Sequence, residues 1–180
     1  MLEIRDLSFI HKYFLAEKQE SLVFLIIGGI SVLTAVIFFF FIKNNPSFFK
    51  GAAIPLLIIG LGQLVAGYTV YSRTEKQRMD IAYKMGIEAV QFTKTEELPR
   101  MQKVMTRFAI YRWLEIIFFI AAVAGAFIFR KQPDRLFLYG VCIALAIQAG
   151  ITFIGDTVAE RRGEVYTGEL LKITGPADKP

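Results

Sequence analysis

Between Glu20 and Lys43 the chain runs for 22 residues without a charged side chain, and between Lys50 and Arg73 for another 22. A third run, between Arg135 and Asp156, has 20. About 20 apolar residues at 1.5 Å rise each match the hydrocarbon thickness of a bilayer. In lipid every backbone N–H and C=O must be satisfied within the protein, so such segments are helices. The charged residues, 21% of the chain, cluster between the runs rather than mixing through them, as bilayer proteins require. The hydrophobic fraction of 54% and mean hydropathy of +0.47 are high for a water-soluble protein.

A fourth run is shorter. Only 14 uncharged residues separate Glu115 from Arg130, a length that alone suggests a buried or re-entrant segment. Extended back to Phe108 it becomes a 22-residue helix with Arg112 and Glu115 in its first two turns. Arg112 can snorkel to the interface, and Tyr111 with Trp113 supply an aromatic anchor there. A central charge costs about 3 kcal/mol, and less near a span's ends, so the apolar stretch Ile116 to Phe129 outweighs it. The expectation is an all-α polytopic membrane protein with four transmembrane helices, at about 21–42, 51–71, 108–129 and 136–156. They form two tandem antiparallel hairpins within one membrane domain, residues 1–180. The first span is too long for a cleavable signal peptide, and the segment before it is mixed in charge. The run Phe38 to Phe41 reads as a lipid-facing end.

Four spans put both termini on one side. That side holds fifteen Lys and Arg residues against five on the other, which places the termini in the cytoplasm and the protein in the cell membrane. The net charge of +5 therefore reads as loops facing anionic lipid. No basic stripe on a soluble module points to nucleic acid. Cys142 stands alone inside an apolar run and reads as a small packing residue, since neither an intramolecular disulfide nor a cysteine metal site is open to it. His11 lacks the neighbours a catalytic or metal role needs.

The two hairpins resemble each other. The first turns through Lys43-Asn44-Asn45-Pro46 and the second through Arg130-Lys131-Gln132-Pro133. Gly51 follows the first turn as Gly140 follows the second, and Gly67-x-Thr69-x4-Thr74 echoes Gly150-x-Thr152-x4-Thr157. Tandem duplication and convergent loop chemistry both account for this, and parallel repeats occur in transporters and in inert bundles alike.

Within the inner hairpin 72–107, the composition from Glu75 to Phe92 favours helix, with Gly86 its weak point. Met79, Ala82, Met85, Ala89 and Phe92 recur at helical spacing. Thr95 is placed to cap a new helix carrying Glu96, Glu97 and Pro99 in its first turn. Spans two and three would then project as a charged helical hairpin, either a solvated connector or a docking surface. Residues 163–180 read as a polar tail. Leu7, Ile10 and Phe14 share one side of a weakly amphipathic N-terminal segment.

The intramembrane polar residues are Gln63, Thr69, Arg112, Glu115, Gln148, Thr152 and Asp156. All fall in the inner half of the bilayer, Gln63 and Gln148 at nearly the same depth. Such groups rarely face lipid. Arg112 and Glu115 are three apart and can pair, with Arg112 bridging onward to Asp156. Three readings compete: a structural network locked by the glutamines, a pocket open to the cytoplasm for a lipid headgroup or small ligand, and an ion or proton path. The last needs polar groups in the outer half, which one subunit hardly supplies. Small-residue pairs, Gly62-x3-Ala66, Ala121-x3-Gly125, Ala122-x3-Ala126 and Ala146-x3-Gly150, suit internal packing and self-association equally.

No metal, cofactor or catalytic motif is present. The expected partners are the lipid bilayer and either a protein partner or a second copy. The preferred function is a non-enzymatic accessory, regulatory or immunity-type membrane protein that acts by helix packing and its inner hairpin. The alternative is a homo-oligomeric channel or transporter, and a lipid-modifying enzyme ranks last.

Overall fold

The computed structural model describes residues 7–175. These residues are helical almost throughout, with no strand among them. The principal helices are α1 (Ser8–Phe40), α2 (Pro46–Phe92), α3 (Leu98–Phe129) and α4 (Leu136–Thr174). The turn between α1 and α2 closes at Asn45, which adopts the left-handed region (φ 49°, ψ 52°). Asparagine tolerates that region better than most residues, and Pro46 after it suits the first helical position. The α3–α4 turn uses a 3-10 helix, Pro133–Arg135, with the Arg135 N–H donating to the Gln132 carbonyl at 3.0 Å.

Three helical runs are long and apolar enough to cross a membrane: Ser8–Phe40, Pro46–Phe129 and Pro133–Thr174. The expectation was four separate ones. The difference lies in the inner segment, where a π-helical stretch, Thr93–Glu97, joins α2 to α3 without a loop. The cap expected at Thr95 does not form. Its hydroxyl donates instead to the Gln91 carbonyl at 2.9 Å, as a threonine inside a helix does. The backbone leaves helical geometry at Glu88 (φ −136°, ψ 61°), two residues past Gly86.

The chain reverses there. Gly28 lies against Gly60 and Gly67 against Ser21, so α1 and α2 are antiparallel. Gly125 meets Cys142 and Gly163 meets Met105, so α3 and α4 are antiparallel too. Gly51 meets Phe137 and Gln63 meets Gln148, so α2 and α4 run parallel. It follows that α3 opposes α2. The Lys84 ammonium reaches Glu96 at 3.3 Å, a pair that a straight helix would hold roughly 18 Å apart.

The interior changes character along the helices. Toward the α1–α2 and α3–α4 turns, the buried side chains are small: Ala35, Gly51, Ala52, Ala53, Ala122, Gly140 and Ala144. Large apolar residues there face outward, among them Phe40, Ile58, Ile120 and Phe127. At the opposite end the pattern inverts. Ile10, Tyr13, Phe14, Ile81, Met85, Phe92, Met101, Tyr166 and Leu170 form a buried core. Water drives burial of large apolar side chains, whereas in lipid helices associate through small residues. The inversion thus coincides with the ends of the charge-free runs.

This core corrects one expectation and agrees with another. Residues 163–174 are the end of α4 rather than a polar tail, with Tyr166 and Leu170 facing inward. Ile10 and Phe14 point into the same core, with Leu7 packed against it. In the inner segment Met85 and Phe92 are buried, whereas Met79 is exposed.

Candidate functional site

The seven polar residues singled out in the spans do not form one cluster. Gln63 on α2 and Gln148 on α4 are 4% and 1% exposed and face each other across the parallel pair. The Gln63 amide donates to Gln148 Oε1 at 3.3 Å, and the Gln148 amide donates to Ser31 Oγ at 2.7 Å. One glutamine therefore ties α1, α2 and α4 together. Gln63 Oε1 is buried and accepts nothing from the described residues. Ser31 carried no sequence signal, because a lone serine reads as a neutral filler.

Arg112 does not pair with Glu115 or bridge to Asp156. Its Nη1 donates to both oxygens of Glu160, each at 2.9 Å. Glu115 instead lies against the Asp156 carboxyl and the Thr152 hydroxyl. The α3–α4 register accounts for both contacts: moving back three residues on α3 advances four on α4. Arg112 therefore meets α4 one turn beyond the expected Asp156. Thr69 stands apart and exposed, its hydroxyl bonded to the Val65 carbonyl of its own helix.

A second polar group lies at the buried inner end. Glu97 is bound by Arg100 at 2.7 and 2.8 Å and accepts a hydrogen bond from the Tyr166 hydroxyl at 2.7 Å. Tyr166 stacks on Tyr13, ring centroids 4.2 Å apart, and Arg162 lies over the other ring and pairs with Glu20. Burial, then the Glu17 carboxylate, pushes the Tyr13 phenol up to about 12. Burial and Glu97 push Tyr166 well above the usual phenol range. His11 Nδ1 faces Arg78 Nη1 at 2.9 Å on the surface.

These are contacts that hold helices to one another. Among the described residues no three histidine, cysteine or carboxylate side chains gather as a metal site would require. Of the small-residue pairs, Gly125 and Gly150 meet the neighbouring helix of their own hairpin, whereas a Cβ on Gly62 would meet nothing.

The inner end also carries an exposed apolar stripe on α2. Met79, Tyr83 and Ile87 stand one helical turn apart on α2 and are 62%, 70% and 62% exposed. They begin about 10 Å past Ser72, where the charge-free run ends, and continue to about 22 Å. No family model, curated protein or solved structure matches this chain.

Proposed function

We propose that this is a non-enzymatic protein of the cell membrane that crosses the bilayer four times and docks a partner protein on its cytoplasmic side. Support for four crossings comes from the reversal at Glu88. The 84 residues from Pro46 to Phe129 would reach roughly 126 Å as one straight helix, about four bilayer hydrocarbon thicknesses. Folded back, they supply one crossing on each side of an inner hairpin, and both termini fall inside. The reciprocal approach of Gly51 and Gly140 to each other's helix supports a duplicated hairpin.

The observation that carries the docking role is the stripe Met79-Tyr83-Ile87. It is too far from the acyl chains to be covered by lipid, and the inner core does not use it. An exposed apolar stripe at i, i+4 and i+8 on a rigid helix suits a partner helix laid along it. Deleting residues 72–107 would remove Ile81, Met85, Phe92 and Met101 from the core, so deletion is a poor test. A photo-crosslinking residue at position 83 is a better one, since it leaves the core intact. In native membranes it should give one discrete protein adduct that disappears in a Met79→Ser, Ile87→Ser background. Absence of an adduct, or one indifferent to those changes, overturns the reading.

The open space around Gly62 favours a second reading, self-association into a channel or transporter. Against it, the outer interior of one subunit is closed by alanine and glycine.

A further inference from the structure

A cavity of about 340 Å³ lies between α2 and α3, which barely touch, and is backed by α1 and α4. Its outer-side walls carry Phe24, Ala66 and Val70, with the Asp156 carboxylate also on this side. Its inner-side end carries charge. Arg73 and Arg107 line it from α2 and α3, both exposed, and neither pairs with any described residue. The other two arginines in the wall are already engaged, Arg100 by Glu97 and Arg162 by Glu20.

Three carboxylates also line the space. Glu20 is held by Arg162, and Asp156 lies deeper, against Glu115. Glu17 sits level with Arg73, since it accepts a hydrogen bond from Thr74, the next residue, at 3.2 Å. The inner end thus offers two free guanidiniums and one carboxylate bound only by a hydroxyl, below the side chains of Val70, Ala66 and Phe24. Guanidiniums fit phosphate oxygens through paired N–H donors. Basic pockets between helices on the cytoplasmic side suit phospholipid headgroups.

We propose that this cavity holds an aminophospholipid of the inner leaflet, its phosphate between Arg73 and Arg107, its ammonium on Glu17, and an acyl chain along Phe24, Ala66 and Val70. The assignment rests on the bilayer reading of the chain and goes beyond partner docking.

The test is lipid retention by the full-length protein in nanodiscs of equal phosphatidylethanolamine and phosphatidylglycerol, read by native mass spectrometry. Wild type should retain phosphatidylethanolamine about fivefold over phosphatidylglycerol. Arg73→Gln with Arg107→Gln should cut retention of both about tenfold. Glu17→Gln should erase the preference while keeping total retention. Melting in lipid-free detergent should match wild type, and the rise on adding phosphatidylethanolamine should vanish in the arginine variant. Should the double variant not fold, Arg107→Gln alone should lower retention about threefold.

Equal retention of the two lipids by wild type, or retention indifferent to the arginine changes, overturns the proposal. So does displacement of bound lipid by millimolar phosphoethanolamine or inorganic phosphate, which would assign the site to a water-soluble phosphate compound. A chain that is dispersed and monomeric without detergent would instead defeat the bilayer reading itself.

Discussion

Gly51 and Gly140 make the same contact in opposite directions: a Cβ on Gly51 would stand 2.0 Å from the Phe137 carbonyl oxygen, and one on Gly140 would stand 2.0 Å from that of Phe48. The obstacle is backbone in both cases, so no side chain can swing aside. Gly51→Ala and Gly140→Ala should each lower stability by about 2–3 kcal/mol, the upper part of the range for overpacking. Gly62→Ala, with nothing within 4 Å, should be neutral or stabilise slightly, because alanine is the better helix former. Thermal unfolding in detergent compares the three. Equal effects would mean that α2 and α4 are not in this register.

The two buried glutamines should respond unequally. Gln148→Leu leaves both Ser31 and Gln63 without a partner and should cost about 1–2 kcal/mol, near the upper end for hydrogen bonds between membrane helices. Gln63→Leu leaves Gln148 Oε1 without its donor but also removes the unsatisfied Gln63 Oε1, so the two effects offset and the variant should stay within about 0.5 kcal/mol of wild type. Liposome ion flux should remain at background in both variants and in wild type. Flux that rises or falls with Gln148 would favour the channel reading.

The inner core should weaken in alkali. Tyr13 titrates near 12 when folded and at about 10 when unfolded. Above pH 10 the unfolded chain loses its proton first, so the folded state binds more protons and stability falls as pH rises. The contribution is complete below pH 10 and disappears as pH approaches 12. For Tyr13 it amounts to about 2–3 kcal/mol, and Tyr166 acts in the same direction. Tyrosinate absorbance should lag that of exposed tyrosines and appear together with loss of helix by circular dichroism. Tyr13→Phe should raise the alkaline midpoint. A tyrosinate signal complete before any unfolding would contradict the stacked, buried pair.

The long apolar helices were readable because lipid imposes a length and an absence of charge, and both are visible in one dimension. The shared depth of Gln63 and Gln148 was readable for the same reason: residues counted from a turn measure depth at 1.5 Å each. The partner of Arg112 was not. Depth is set along one helix, but register is set between two, and one turn of sliding exchanges Asp156 for Glu160. Glu88 was hidden because propensity points to Gly86, whereas the reversal is imposed by packing Phe92 and Met101 back onto Met85. The C-terminal stretch looked polar because Tyr166 and Leu170 are sparse among charges, and only the core around Tyr13 shows what they are for.

The number of crossings is the claim on which the rest stands, and the two turns test it directly. In a Cys142→Ser background, single cysteines at Asn44 and Lys131 are treated with a membrane-impermeant maleimide on intact cells, and again after permeabilisation, with a cysteine at Glu88 for comparison. Four crossings with cytoplasmic termini predict labelling of both turns from outside, and of position 88 only after permeabilisation. If the run from Pro46 to Phe129 crosses once, positions 44 and 131 will label from opposite sides, and the account is wrong.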